Sequence, residues 1–189
     1  SGKTIGVIGV GNIGSLVVRN SRALGMHVLQ NDPPAEDRAK TAGMTGAEFV
    51  ELDRLLAEAD IVTLHVPLTM DGQHPTYHMV DSNFLQQLKP DAILINSSRG
   101  PVVDTRPLIA AIDRGTVKDA VVDTWEDEPA YSQELLGKTT LGTPHIAGYS
   151  FDGKVNGTMM VYSAACNSFD IQPAWSPAAL MPPPAVPML

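Results

Sequence analysis

Short apolar runs alternate with amphipathic stretches along most of the chain. Six stretches have the length of a strand, and the most apolar of them, such as "TIGVIG" at 4–9, show no polar alternation; they lie at 4–9, 27–32, 61–66, 92–97, 119–125 and 139–144. Between and after them, apolar residues recur at helical spacing at 13–25, 52–60, 81–89, 104–115 and 152–169. Strands without polar alternation are typical of a parallel sheet covered on both faces. The pattern therefore predicts an α/β fold with a doubly wound parallel sheet.

The end of the chain has a different composition. The stretch "IQPAWSPAALMPPPAVPML" contains six prolines in nineteen residues, which excludes a helix or a central strand. We therefore predict one α/β domain over residues 1–169 and a proline-rich tail or truncated linker over 170–189.

Composition narrows the class of protein. The 189 residues are 43% hydrophobic, enough for one domain with a core, and carry a net charge of −8 without any basic run. This charge argues against a nucleic-acid surface, since phosphate binding needs clustered Lys and Arg. The chain has one cysteine, Cys166, no signal peptide, and no apolar run near the roughly twenty residues that span a membrane. We expect a soluble cytoplasmic protein without a membrane partner.

A glycine-rich loop joins the first predicted strand to the first predicted helix. Its sequence, "GVGNIG", places Gly9, Gly11 and Gly14 at the spacing of a dinucleotide-binding turn. In such a turn the first glycine permits the tight bend, the second lets the backbone approach the pyrophosphate, and the third lets the helix pack on the sheet. We predict that this loop, including Asn12 and Ile13, binds the cofactor at the helix N-terminus.

An acidic residue follows the second predicted strand. Asp32 lies eighteen residues beyond Gly14, where a carboxylate can accept hydrogen bonds from a ribose diol and repel a 2′-phosphate. The alternative is a surface aspartate beside an ordinary turn. The context of strand, glycine loop and helix favours the cofactor role and predicts NAD rather than NADP.

Three charged residues follow three other predicted strands: Arg99, Glu128 and His145. The ends of parallel strands share one edge of the sheet, so these side chains can converge over the cofactor. A histidine can take a hydroxyl proton as hydride leaves, a carboxylate can orient the imidazole, and an arginine can hold a substrate carboxylate. Spacing alone leaves open a surface arginine, a solvated acidic cluster and a loop histidine.

Four motifs in order resemble a known family. The stretches "GKTIGVIGVGNIG", "LINSSRGPVVD", "VVDTWEDEP" and "TPHIAG" are similar to the D-isomer-specific 2-hydroxyacid dehydrogenases, over roughly residues 2–169. The resemblance implies a Rossmann-type NAD-binding domain of an NAD-dependent dehydrogenase. It assigns Arg99 to the substrate carboxylate, Glu128 and His145 to the acid–base pair, and Asp123 to the nicotinamide carboxamide. The remaining residues implied to line the cofactor are Val66, Ser97, Ser98 and Gly148.

Within the family, some stretches are similar to a branch that acts on a small phosphorylated 2-hydroxy acid. These are "NDPP", "PLTMDGQHPTYHMVD" and "GTPHIAGYSFDGKVNGT". The resemblance implies that Tyr149 binds the substrate; the alternative for Tyr149 is packing. One mild departure is "DTWE", with Thr124 where relatives have Val. His65 is interpreted as a packing residue, with contact to the edge of the cofactor as the alternative. Five histidines without paired spacing predict no metal site.

The resemblance implies a subunit with a second, substrate-binding domain, and because this chain starts at the first strand of the cofactor domain, we expect it to be an excised cofactor domain. Hydride transfer needs a cleft closed against water, so we expect this chain to bind NAD but to turn over slowly or not at all. Two alternatives stay open: another D-2-hydroxyacid dehydrogenase acting on phosphoglycerate, glycerate or lactate, and a non-catalytic NAD-sensing co-repressor. Family resemblance also leads us to expect a homodimer.

Overall fold

All six predicted strands form one parallel sheet. The computed structural model describes residues 2–43 and 48–179. The strands are β1 (Thr4–Ile8), β2 (His27–Asn31), β3 (Ile61–Leu64), β4 (Ile93–Asn96), β5 (Asp119–Val122) and β6 (Leu141–Gly142). Their order is β2-β1-β3-β4-β5-β6, and every neighbouring pair is parallel. After β1 the chain builds β2 on one side and then β3 on the other, which opens a crevice between β1 and β3 at the carboxyl edge of the sheet.

The described part of the chain contains seven α-helices: α1 (Asn12–Ala23), α2 (Pro33–Thr41), α3 (Leu52–Glu58), α4 (Ser82–Gln87), α5 (Thr105–Asp113), α6 (Gln133–Lys138) and α7 (Phe151–Ser168). The sequence predicted five of them. It missed α2, which begins with two prolines and buries no residue, and α6, which has six residues and buries only Leu135. Neither helix has enough apolar residues to set up a helical period.

Both faces of the sheet are covered by apolar side chains, as the uninterrupted strands predicted. Ile5 and Val7 of β1 pack with Val18 of α1 on one face. Ile8 of β1 belongs to the larger cluster, which includes Leu55 and Leu56 of α3. Because successive strand residues point to opposite faces, β1 is buried from both sides.

The predicted helix boundaries are confirmed at four positions. Asp81 Oδ1 accepts a hydrogen bond from the Phe84 N–H at 2.9 Å, and Asp104 Oδ1 accepts one from the Arg106 N–H at 3.3 Å. Gly25 and Gly115 follow α1 and α5 in the left-handed region, with φ of 74° and 70°. Aspartate at the start and glycine after the end satisfy the backbone groups that a helix leaves without partners.

The chain divides into two compact units, residues 1–145 and 146–189. The first contains the sheet. In the second, Ala174 and Trp175 donate backbone hydrogen bonds to the Tyr162 hydroxyl of α7 at 2.9 and 3.1 Å. The boundary at residue 169 stays a prediction, and residues 180–189 of the predicted tail lie outside the described residues. No helix in the described ranges is long and apolar enough to cross a membrane.

Candidate cofactor and active site

The glycine loop forms a tight turn between β1 and α1. Gly9 has a φ of 86°, and a Cβ at Gly14 would lie 1.9 Å from the Gly9 carbonyl oxygen. A Cβ at Gly11 would meet nothing within 4 Å, because this residue borders open space. Asn12 and Ile13 are exposed in the first turn of α1, and Gly11 offers no side-chain cap. The loop can therefore present helix N–H groups to a pyrophosphate, as a dinucleotide site requires.

Asp32 connects the glycine loop to the next helix. Its Oδ2 accepts a hydrogen bond from the Val10 N–H at 2.7 Å, and its Oδ1 accepts one from the Ala35 N–H at 2.9 Å, which caps α2. A carboxylate has about four lone-pair sites, so both oxygens can still accept from ribose hydroxyls. The position and charge of Asp32 fit an adenosine ribose.

A cavity of about 700 Å³ lies at the crevice between β1 and β3. Four predicted cofactor residues line it: Gly9, Gly11, Asp32 and Val66. The cavity is large enough for part of a dinucleotide, since small-molecule sites enclose roughly 300–1,000 Å³. Its other walls include residues that the sequence analysis did not propose, namely Arg38, Pro67, Thr69, Gln73, His74, Pro75, Thr76 and Met79.

His65 also lines this cavity, although the sequence favoured simple packing. Its Nε2 lies 3.0 Å from the Thr63 hydroxyl. Burial lowers the pKa of the His65 imidazole, because it disfavours the charged form, so the ring is neutral at neutral pH. His65 therefore contributes a polar but uncharged patch to the cavity.

A buried asparagine organises the turn that carries Arg99. Asn96, the last residue of β4, accepts hydrogen bonds from the Ser98 N–H at 3.1 Å and from the Ser98 hydroxyl at 2.9 Å. Its amide donates to the Arg99 carbonyl at 3.1 Å. Arg99 itself is exposed, with Nη1 donating to the Ser98 carbonyl at 2.7 Å, and Ser97 is half-buried. The polar end of an apolar strand was the available sequence signal for Asn96.

Glu128 and His145, seventeen residues apart, meet at the edge of the sheet. Glu128 Oε2 lies 2.7 Å from His145 Nδ1, and its Oε1 accepts a hydrogen bond from the Trp125 N–H. A carboxylate only accepts, so the shared proton resides on Nδ1 and the neutral ring has its basic nitrogen at Nε2. The predicted acid–histidine pair is thus assembled in the geometry of a general base with its orienting acid.

The backbone under this pair is tightly held. The His145 N–H donates to the Asp123 carbonyl at 2.7 Å, and the Asp123 carboxylate, which is buried, accepts from the Thr143 hydroxyl at 2.5 Å. His145 has a φ of 55° and Asp127 a φ of 61°, both in the left-handed region that glycine favours. Such conformations persist only where the surroundings fix them, and they concentrate at functional sites.

A second cluster, which sequence reasoning missed, lies beside this edge. His78 Nε2 hydrogen-bonds to Glu126 Oε1, and His78 Nδ1 lies 3.7 Å from Asp104 Oδ2. The three residues line a separate cavity of about 520 Å³, and their ligand-type atoms lie within 4.8 Å of one another. No sequence spacing indicated this group, because His78 and Glu126 are 48 residues apart.

Two predicted residues belong to the second unit. Gly148 and Tyr149 follow His145 in the chain, and the Tyr149 side chain is 64% exposed with Lys154 Nζ 4.5 Å from its ring centroid. Their roles toward cofactor and substrate stay predictions.

Comparisons with known proteins agree with the fold and the cofactor. Residues 1–147 match the family described as "D-isomer specific 2-hydroxyacid dehydrogenase, NAD binding domain". The chain is 51% identical to an erythronate-4-phosphate dehydrogenase of Salinibacter ruber over 92% of this chain and 44% of the relative. It is 44% identical to one of Bacteroides thetaiotaomicron over 98% of this chain and 51% of the relative. The chain thus spans about half the length of these relatives.

A solved structure agrees with this fold and this cofactor. The NAD-complexed D-isomer-specific 2-hydroxyacid dehydrogenase of Lactobacillus delbrueckii ssp. bulgaricus is similar with a TM-score of 0.72 and 28% identity. The match covers 91% of this chain and 54% of that one. The predicted α/β fold and the predicted cofactor, NAD, are confirmed.

Proposed function

The chain belongs to the D-isomer-specific 2-hydroxyacid dehydrogenase family, and on that premise we propose that it supplies the NAD-binding and acid–base residues of an enzyme that oxidises a D-2-hydroxy acid. The substrate we propose is 4-phospho-D-erythronate, converted to 2-oxo-3-hydroxy-4-phosphobutanoate in pyridoxal phosphate (vitamin B6) biosynthesis. The names of the two curated relatives and the stretch from His145 to Thr158 support this choice over other hydroxy acids.

The acid–base step uses His145 with Glu128 behind it. The Nε2 nitrogen of His145 takes the hydroxyl proton of the substrate, while the hydrogen on the same carbon leaves with its electron pair and the hydroxyl becomes a carbonyl. Bound NAD supplies the acceptor for that hydride. Glu128 Oε2, 2.7 Å from Nδ1, fixes the tautomer and stabilises the imidazolium that forms.

Arg99 has the chemistry to hold the substrate. Its guanidinium is always charged, and a planar fork can bind a carboxylate through two parallel hydrogen bonds. Its Nη1 donates to the neighbouring Ser98 carbonyl, and the side chain is exposed at the edge that also carries His145. Arg99 can therefore turn toward a substrate carboxylate at the cost of one hydrogen bond to a neighbouring carbonyl.

The observation that carries the proposal is the Glu128–His145 pair at the same sheet edge as the glycine loop. The test is steady-state oxidation by the full-length protein of 4-phospho-D-erythronate, 3-phospho-D-glycerate, D-glycerate and D-lactate, with NAD. We expect the first to have the highest kcat/KM, and His145→Ala to abolish turnover while NAD binding persists.

The alternatives have different outcomes in this experiment. A higher kcat/KM with D-lactate, D-glycerate or phosphoglycerate would replace the proposed substrate but keep the reaction. NAD binding without oxidation of any of the four acids would favour an NAD-sensing binding protein. We further propose a homodimer, which sedimentation of the full-length protein tests directly.

A further inference from the structure

We propose that His78 and Glu126 form a positioning pair that holds the segment carrying Glu128 against one wall of the cavity between β1 and β3. This cavity of about 700 Å³, which Gly9, Asp32 and Val66 line, is called the NAD cavity below. The inference rests on the proposed function, because the pair acts through Glu128 and the bound nucleotide and touches neither substrate nor the reacting atoms.

The Glu126 carboxylate uses both of its oxygens to join separate segments. Oε1 hydrogen-bonds to His78 Nε2, and Oε2 accepts from the Thr105 N–H at 3.0 Å, at the first residue of α5. The other ring nitrogen of His78 faces Asp104 Oδ2 at 3.7 Å. One imidazole thus lies between two carboxylates, and Glu126 ties it to the start of a helix.

On its other side, His78 is continuous with the wall of the NAD cavity. Its N–H donates to the Pro101 carbonyl at 2.8 Å, and its ring stacks on Tyr77 with centroids 4.0 Å apart. The next residue, Met79, lines the NAD cavity, whereas His78 lines the cavity of about 520 Å³. The chain at 78–79 is therefore a partition between the two cavities, and fixing His78 fixes the placement of Met79.

Glu126 is also close in sequence to Glu128 of the acid–base pair. Only Asp127 separates it from Glu128, and the Trp125 N–H on the preceding side donates to Glu128. His78 and Asp127 both have left-handed backbone conformations, with φ of 49° and 61°. Residues other than glycine hold that conformation only when neighbouring contacts over-determine it. The His78–Glu126 contact is one such constraint on the short path from Glu126 to Glu128.

The charges around the pair favour an ionised Glu126. Burial raises the pKa of its carboxyl, but the hydrogen bonds from Thr105 and His78 outweigh burial and leave that pKa below its usual value. The same cavity is lined by Asp104, Asp127 and Glu134, and by one cation, Arg106. The imidazole of His78 therefore lies in acidic surroundings, and Glu126 contacts it as a carboxylate.

The direction of the two ring nitrogens argues for a bridge rather than a metal site. Nε2 points to Glu126 and Nδ1 faces Asp104, whereas a metal ion takes only one nitrogen of a ring. An ion bound at one of the two nitrogens would replace the contact made there, although ligand-type atoms of the three side chains lie within 4.8 Å of one another. Binding of Zn²⁺ by these three side chains would therefore contradict the proposal.

The test is a double-mutant cycle in the full-length protein with His78→Asn and Glu126→Gln. Asparagine tolerates the left-handed backbone, so His78→Asn removes the imidazole with little else. Glutamine can still accept from the Thr105 N–H, so Glu126→Gln removes the negative charge from the contact with His78. We expect each single variant to raise the Kd for NAD and to lower kcat by about tenfold, and the double variant to be no worse than either. The matched control is Lys138→Ala, which breaks a surface ion pair with Asp113 and leaves both constants unchanged.

The outcomes separate this inference from the proposed function. If the wild-type protein neither binds NAD nor oxidises a hydroxy acid, both fail. If the wild type is active and the variants lose only thermal stability, or their effects on kcat add, the pair is merely structural and the inference is wrong. Stoichiometric Zn²⁺ binding that His78→Asn abolishes, with higher activity of the zinc-loaded protein, would also overturn it in favour of a metal site.

Discussion

Glu128 holds His145 through Oε2 while its own Oε1 is held by the backbone N–H of Trp125. The carboxylate is therefore fixed from the protein side before it orients the imidazole. This arrangement predefines which ring nitrogen carries the proton and which one can act as the base.

Glu128→Gln is expected to reduce kcat by about a hundredfold, because an amide supports both ring tautomers and stabilises no imidazolium. The Kd for NAD should stay within twofold of wild type. The measurement is single-turnover hydride transfer in the full-length protein, followed by NADH absorbance. Glu134→Gln, on exposed α6, is the matched control and should leave the rate unchanged.

Asp32→Ala is expected to weaken NAD binding by about tenfold, because it removes a charged acceptor for the ribose hydroxyls. The affinity for NADP should fall less than that for NAD, or should rise. Arg38 lines the same cavity and can pair with a 2′-phosphate once the carboxylate is gone. Calorimetric titration of this chain with each nucleotide checks both statements. Equal losses for the two nucleotides would contradict the role of Asp32 in discrimination; Asp37→Ala, exposed in α2, is the control.

Thr124→Val is expected to raise the free energy of unfolding by about 1 kcal/mol. The Thr124 hydroxyl is buried beside a cavity of about 10 Å³ and has no hydrogen-bond partner among the described residues. Valine has nearly the same shape and removes the cost of burying that hydroxyl. Urea unfolding measures the change. Thr63→Val makes the matched comparison: its hydroxyl contacts His65, so the same substitution there should destabilise the protein.

Asp60 is expected to make the protein acid-sensitive. The Thr4 N–H, at 2.8 Å, and the ammonium of Lys89, at 2.9 Å, hold the pKa of the Asp60 carboxyl far below its usual 3.8. A carboxyl whose pKa is lower in the folded than in the unfolded state stabilises the folded protein. This contribution is complete above the unfolded-state pKa and is lost as the pH falls through the folded-state pKa. Urea midpoints between pH 6 and pH 3 should fall less steeply for Asp60→Asn than for wild type, whereas Asp71→Asn, in an exposed loop, should follow wild type.

The fold was predictable because its signals are local. Each of the six strands lies in a separate short stretch of strand length, and Asp81, Asp104, Gly25 and Gly115 mark helix ends that need no tertiary information. Helix α2 was missed for the opposite reason: it buries no side chain, and Asp32 and tertiary position hold it in place.

The site was predictable only in part. Residues that directly follow strands, such as Arg99, Glu128 and His145, share an edge by topology, so their convergence follows from the strand pattern. The contact between His78 and Glu126 joins a loop without periodicity to a strand end 48 residues away, and no spacing rule encodes it. Asn96 was hidden because its importance lies in the turn that it holds, which becomes visible only with its partners in place.

The double attachment of Asp32 limits how coenzyme preference can evolve. Replacement of Asp32 by a residue without a side-chain acceptor admits a 2′-phosphate but also removes the cap of α2 and the hydrogen bond to the Val10 N–H. A lineage that switches to NADP must therefore either keep a capping side chain at this position or acquire a compensating change in the glycine loop or at the start of α2. Coenzyme choice is in this way linked to a folding requirement, and intermediates that carry only the first change are at a selective disadvantage.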